Sequence, residues 1–207
     1  DLCIIDWRPE NITMPDNTII SLNDVNVKTS VVGGGKFAGL YQLKTLIQKY
    51  NTQYKMDFVI PDAFVIPVSK FDDYKKQGYV SEDLINSAMF YATKLGGNVA
   101  VRSSADIEDK QRKTYSDQFE SVLNVKTREQ MAGALNTVYA SATKVPNAKM
   151  GVILQSMVFE PQMAGVVYSE TFFGAPFVVM HYVKDDFADK LLSDKNFSNF
   201  HRFALGD

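Results

Sequence analysis

Cysteine, excess positive charge and long apolar runs are all scarce in this sequence, and each scarcity excludes a class of protein. The single cysteine, Cys3, cannot form a disulfide within the chain, so we expect a reducing, cytoplasmic setting. Lys and Arg number 22 against 24 Asp and Glu, whereas nucleic-acid-binding domains usually carry a strong basic excess. Apolar runs such as 151–154 and 177–180 are far shorter than a membrane span. We therefore expect neither a nucleic-acid partner nor a membrane partner.

Residues for metal binding and covalent catalysis are equally scarce. His181 lies in a predicted strand and His201 in an aromatic-flanked segment, which favours structural roles for both. No cluster of Cys and His has zinc-ligand spacing, and no Gly-x-Ser-x-Gly motif marks a serine nucleophile. We predict no metal ligands. The sequence begins without Met and without the pattern of a signal peptide, so we expect a piece of a longer protein.

The composition, 45% hydrophobic and 22% charged over 207 residues, is sufficient for one domain or two small lobes with a core. Apolar spacing and capping residues predict four helices. The first helix has Leu40, Leu43, Ile47 and Tyr50 on one face. The second is short, begins with a Ser69–Asp72 capping box and runs through Tyr74. The third is capped by Ser81 and ended by Gly96-Gly97, and the fourth begins with a Thr127–Gln130 capping box.

Strand patterns alternate with these helices. We predict strands or extended segments at 18–22, 57–68, 98–102, 119–125, 150–159, 165–169 and 177–183. Residues 110–116 and 184–207 are polar and are predicted as loops. The mixture indicates an α+β or mixed α/β fold of the kind that holds nucleotides.

The loop Gly33-Gly34-Gly35-Lys36 precedes the first long helix and is the first candidate site. Glycines let backbone N–H groups approach a phosphate, a helix N-terminus adds partial positive charge, and Lys36 adds a full one. The loop is not a Walker A motif, because Ser30 stands at its first glycine position and Phe37 at its Ser/Thr position. A glycine-rich turn with a surface lysine is an equally good interpretation.

A second candidate site is Arg102-Ser103-Ser104, which we expect at the end of the strand 98–102. Arginine suits a bidentate grip on phosphate oxygens. The alternative is a structural arginine paired with Glu108 or Asp109, with the two serines acting as helix caps. Gln155 interrupts an apolar strand and needs a polar partner, either a nucleotide base or the adjacent backbone. The residues alone favour the structural interpretation at both positions.

In order, these segments resemble the ATP-binding domain of the pyruvate phosphate dikinase, phosphoenolpyruvate synthase and rifampin phosphotransferase family. Six blocks carry the resemblance, and the most specific is Val-Arg-Ser-Ser-Ala followed by Glu-Asp. The blocks are 32–40 (similar to GGKGANL), 60–66 (VPPGFVV), 99–109 (VAVRSSATAED), 114–125 (SFAGQYESFLNV), 153–158 (VVQKMV) and 164–169 (ASGVMFT).

This resemblance implies an ATP-grasp-like domain that binds Mg-ATP and passes phosphoryl to a histidine on a separate domain, or onward to a substrate. Lys36 and Arg102 would be the catalytic, phosphate-holding residues. The remaining nucleotide contacts would come from Gly34, Gly35 and Ser103, from Gln118 in a phosphate-covering loop, and from Gln155, Met157 and Val158 at the edge of the adenine pocket. The resemblance also implies a lead-in at 1–30, a first lobe at 31–145 and the start of a second lobe at 146–207, truncated before the metal-binding acidic residues.

Two departures from the family pattern motivate an alternative. Phe37 replaces a glycine beside Lys36, and Asp117 replaces the glycine of a phosphate-covering loop. A negative charge facing phosphate at about 4 Å would cancel roughly what Arg102 supplies. The alternative function is therefore a degenerate, non-catalytic module with a binding or regulatory role. An unrelated α/β domain for another anionic ligand is a third interpretation.

Overall fold

A computed structural model describes residues 19–23, 30–105, 119–172, 175–184 and 200–204. The chain divides into two units, Asp1–Met157 and Val158–Asp207. The helices are α1 (Ser30–Gly33), α2 (Gly35–Tyr54), α3 (Ser69–Gln77), α4 (Glu82–Lys94) and α5 (Arg128–Thr143). The strands are β1 (Ile20–Ser21), β2 (Ala63–Ile66), β3 (Val99–Ala105), β4 (Ser121–Val125), β5 (Met150–Ser156), β6 (Met163–Phe172), β7 (Ala175–Lys184) and β8 (Phe200–Ala204).

The first unit is built on a five-stranded antiparallel sheet of order β1-β2-β5-β3-β4. Residues directly opposite each other on neighbouring strands share a face of the sheet. One face packs with α3, α4 and α5 into the larger core, around Val101, Leu135 and Val152. The other face packs against the start of α2, where Phe37 lies with Val65 and Ile153. The mixed α+β fold predicted from the sequence is confirmed.

The best-predicted helices are those with both a start signal and a stop signal. Ser81 accepts a hydrogen bond from the Leu84 N–H at the start of α4, and the Gly97 N–H donates to the Ala92 carbonyl at its end. At α5, the Thr127 side chain accepts from the Gln130 N–H while the Gln130 side chain accepts from the Thr127 N–H. These reciprocal bonds confirm the predicted capping box.

The predicted capping box at Ser69 is wrong, although the helix it was meant to start is present. The cap position of α3 is Val68, in helical conformation, and no side chain caps the first turn. The Val68 N–H donates instead to the Val32 carbonyl. Packing against α1 therefore sets this entry into α3, and the helix runs on to Gln77, where Gly78 ends it in the left-handed conformation.

The second unit is a three-stranded antiparallel sheet of order β6-β7-β8. Its β6–β7 pairing runs without a break from Met163 opposite Lys184 to Phe172 opposite Ala175. The prediction of a loop throughout 184–207 is wrong, because β8 pairs with β7 from Phe177–Ala204 to His181–Phe200. Strand β5, which the expected lobe boundary at 145 would assign to the second lobe, lies in the middle of the first unit's sheet.

Among the described residues, no helix has both the length and the apolar character needed to cross a membrane.

Candidate functional site: the glycine loop and strand β3

The glycine loop lies in close contact with the backbone of β3 and β5. Gly34 has φ 80° and ψ 172°, a conformation that only glycine adopts readily. A Cβ added to Gly34 would lie 1.8 Å from the Ser104 carbonyl oxygen, and one added to Gly151 would lie 2.5 Å from the Gly33 carbonyl oxygen. Glycine is therefore required on both sides of this contact, whatever else the loop does.

Two hydrogen bonds fasten the first turn of α2 to β3. The Lys36 ammonium donates to the Ser103 hydroxyl at 3.1 Å, and the Phe37 N–H donates to the Ser104 hydroxyl at 3.0 Å. Both serines are fully buried. Gly34, at the cap position, has no side chain to satisfy the first-turn N–H groups, and Ser104 supplies this cap from another element.

Phe37 is a core residue. Its side chain is fully buried in the smaller hydrophobic cluster, with Val32, Val65 and Ile153 among its members. It also covers Gly33, where an added Cβ would lie 2.5 Å from the ring. The side chain that departs from the family pattern therefore fills the space between α2 and the sheet.

Arg102 is joined through Gln155 to β5 and to the segment that precedes β2. The Arg102 Nη1 donates to the Gln155 Oε1 at 2.8 Å, and the Gln155 Nε2 donates to the Pro61 carbonyl at 3.3 Å. Gln155 is buried and Arg102 is half-buried. Gln155 thus has the backbone partner that the structural interpretation predicted, and it has a second partner, the Arg102 side chain, that the sequence did not predict.

The strand that bears Arg102 is longer than predicted. β3 runs through Ala105, so Ser103 and Ser104 lie within the strand, opposite Val152 and Gly151 of β5. The prediction that these serines follow the strand end is therefore wrong. Pairing with the full length of β5 extends the strand beyond Arg102.

The other predicted contact residues fall in different places. Gln118 and Asp117 lie outside the described residues, as do Glu108 and Asp109. Met157 is half-buried, and its N–H donates to the Asn98 carbonyl at 3.3 Å. Val158 is exposed and is the first residue of the second unit.

Sequence reasoning missed Gly151 as a packing residue, and it named the serines as helix caps only in the alternative interpretation, without identifying α2 as the helix. An isolated glycine inside an apolar strand is a sign of close backbone approach, and Gly151 fits that sign. No local sign shows that α2 is the helix that Ser104 caps, because its partner lies 67 positions away in the chain.

The described residues hold no group of three or more His, Cys, Asp or Glu side chains that could bind a metal ion. Mg²⁺ prefers carboxylate, water and phosphate oxygens. The described part of the site therefore contains the cations Lys36 and Arg102 and, among the described residues, no such acidic cluster.

Residues 81–181 match the model of a family described as pyruvate phosphate dikinase, AMP/ATP-binding domain. The resemblance predicted from the sequence is confirmed. The segment that matches the pyruvate phosphate dikinase AMP/ATP-binding domain contains Arg102 and Gln155, whereas the glycine loop and Lys36 precede it.

Two individual proteins are also similar to the chain. An uncharacterized phosphotransferase of Bacillus subtilis strain 168, YvkC, is 22% identical, and the match covers 53% of this chain and 17% of the relative. The crystal structure of PH1788 from Pyrococcus horikoshii OT3 gives a TM-score of 0.42 at 17% identity, covering 59% of this chain and 48% of that one. The chain therefore spans about a sixth of the curated relative and about half of the structural one.

Proposed function

We propose that the chain forms part of the nucleotide site of an ATP-dependent phosphotransferase, in which Lys36 and Arg102 hold the phosphates of ATP. The observation that carries the proposal is that the family match includes β3 and β5, and both cations are tethered to these two strands. The Arg102 guanidinium is held by a neutral amide, which leaves its positive charge for a ligand.

The chemistry required of these residues is electrostatic. In phosphoryl transfer, negative charge spreads over the transferring group, and fixed cations stabilise it. Arg102 commits one of its five N–H donors to Gln155, and Ser103 holds the Lys36 ammonium beside β3. ATP-grasp-like binding of the nucleotide, Mg²⁺ supplied with the nucleotide, and a phosphohistidine domain elsewhere in a longer protein complete the proposal.

The alternative, a degenerate module that binds without catalysis, rested on Phe37 and Asp117. Because the Phe37 side chain is buried in the core, it no longer supports this alternative, which then depends on Asp117 alone. Reverting Phe37 to glycine would open a cavity of aromatic size and cost about 3–5 kcal/mol, which makes it a poor test of the site. Asp117→Gly alone is the informative reversion: a large gain in ATP affinity would favour the degenerate module.

The proposal is tested by thermal unfolding of the chain with and without Mg-ATP. Ligand at about 100 times its dissociation constant adds roughly 2.7 kcal/mol to stability. For a protein of this size that raises Tm by about 5–10 °C. We expect Lys36→Ala and Arg102→Ala each to reduce the ligand-induced rise strongly.

Lys76→Ala is the matched control, because Lys76 is an exposed cation on α3 whose loss lowers the net charge equally. Its ligand-induced rise in Tm should equal that of the wild type. Equal rises in all four proteins would refute the assignment of Lys36 and Arg102, and no rise in the wild type would refute ATP binding by this chain.

A further inference from the structure

The contact between Gln155 and Arg102 has a fixed direction. A guanidinium group only donates hydrogen bonds, and a backbone carbonyl only accepts them. The Gln155 amide lies between one of each, so its oxygen must face Arg102 and its NH₂ must face the Pro61 carbonyl. Reversing the amide would place two donors against each other at one end and two acceptors at the other. The arrangement therefore admits a single amide orientation.

The sheet around Gln155 is shaped to hold this side chain. Gln155 pairs with Ala63 on β2 and with Ala100 on β3. Cross-strand neighbours share a face of the sheet, so the glutamine side chain has a methyl group on either side. Small neighbours leave room for it to lie along the sheet toward Arg102. Burial excludes water that would otherwise compete for both hydrogen bonds.

An amide at this position also preserves the charge of its partner. A glutamate at 155 could orient the guanidinium equally well, but it would form an ion pair and offset the positive charge. A neutral amide fixes the direction of one N–H and leaves the full charge of Arg102 available to an anion.

We propose that Gln155 is a positioning residue that orients Arg102 toward the phosphates of the bound nucleotide. This rests on the function proposed above, and it differs from the role that the family resemblance implies for Gln155, at the edge of an adenine pocket. The residue acts through Arg102 and does not read the base.

The test compares ATP with inorganic tripolyphosphate, which has the phosphates but no base, by isothermal titration of the chain. We expect Gln155→Met, which keeps the length and removes both hydrogen bonds, to weaken binding of both ligands about 10-fold or more. Gln155→Glu should weaken both as well, while leaving the protein folded. Gln48→Met on the exposed part of α2 is the control and should change neither affinity.

A double-mutant cycle separates positioning from direct contact. In an Arg102→Ala background, Gln155→Met should have less than about a twofold further effect on ATP affinity, because the group through which it acts is already absent. A full loss in that background would overturn the proposal. So would a loss for ATP with unchanged affinity for tripolyphosphate, since Gln155 would then contact the base.

A ligand-free measurement distinguishes failure of this inference from failure of the proposed function. Side-chain NMR of ¹⁵N-labelled arginine should show slow rotation of the Arg102 guanidinium in the wild type and fast rotation in Gln155→Met. Slow rotation in both proteins would overturn the positioning role. A wild type that binds neither ligand would overturn the proposed function, and with it any role for Gln155 in phosphate binding.

Discussion

Replacing Gly34 with alanine should destabilise the first unit severely, and the structure gives the size of the effect. At φ 80° and ψ 172°, Gly34 occupies a region that costs a residue with a Cβ about 1–3 kcal/mol. The new Cβ would also overlap the Ser104 carbonyl, which is backbone and cannot rotate away. The loop must then move, breaking the Phe37–Ser104 hydrogen bond at a further cost of about 0.5–1.5 kcal/mol.

The sum is roughly 3 kcal/mol, which corresponds to a fall in Tm of about 6–12 °C for a protein of this size. The assay is thermal unfolding followed by far-ultraviolet circular dichroism. Gly39→Ala is the matched control: Gly39 lies within α2 with no neighbouring atom near an added Cβ. Because alanine is the better helix former, this variant should gain about 0.5–1 kcal/mol.

The opposite signs make the comparison decisive. A Gly34→Ala protein within about 1 kcal/mol of the wild type would refute the close contact between the loop and β3. A Gly39→Ala protein as unstable as Gly34→Ala would show that the α2 region tolerates no added side chain, and the specific role of Gly34 would be refuted.

Further predictions for three variants concern the larger core and α5. Burial, with a smaller contribution from the Asp73 carboxylate, raises the pKa of Tyr139 above its ordinary value near 10. Above pH 10 the folded protein therefore keeps a proton on Tyr139 that the unfolded chain releases. The free energy of unfolding should then fall by about 1.4 kcal/mol per pH unit. Tyr139→Phe should abolish this slope in urea titrations. At pH 7 the same variant should be as stable as the wild type or slightly more stable, because the Tyr139 hydroxyl is buried without a partner in the described part of the chain. A loss of more than about 2 kcal/mol in the free energy of unfolding would contradict this. Thr127→Ala should cost about 1 kcal/mol through loss of the capping box, and an unchanged urea midpoint would argue against that contribution. Gly133 lies within α5 with open space where a Cβ would be added, so Gly133→Ala should increase the free energy of unfolding by about 0.5–1 kcal/mol and raise the urea midpoint. A lower midpoint would mean that this position is packed.

The sequence was most informative where structure is determined locally. Ser81 and the Gly96-Gly97 pair bracket α4 because a cap and a left-handed stop act within one helical turn. The Thr127–Gln130 pair is equally local. The apolar residues on one face of α5, Met131, Leu135, Val138 and Ala142, are all buried as their spacing indicates.

The errors concern contacts that are distant in sequence. Ser69 has the residue type of a cap, yet the chain enters α3 through a backbone bond from Val68 to Val32. β8 is a polar and aromatic segment that the sequence pattern did not mark as a strand, and its strand structure comes from pairing with β7. At the candidate site, Lys36 and Arg102 could be proposed from motif and chemistry. Their tethers, Ser103 and Gln155, depend on which strands become neighbours.

The strand order of the first unit has a consequence for the order in which the protein can fold. β2 and β3 are separated in space by β5, and β5 is the last of the three to leave the ribosome. Neither earlier strand can complete its hydrogen bonding in the sheet before Met150–Ser156 arrives, so loop closure over long stretches of chain precedes most of the sheet's stabilisation. Gln155 arrives with the same strand. The orientation of Arg102 is therefore established in the same step that closes the sheet, and a chain with this sheet half-assembled has no oriented arginine with which to hold a nucleotide.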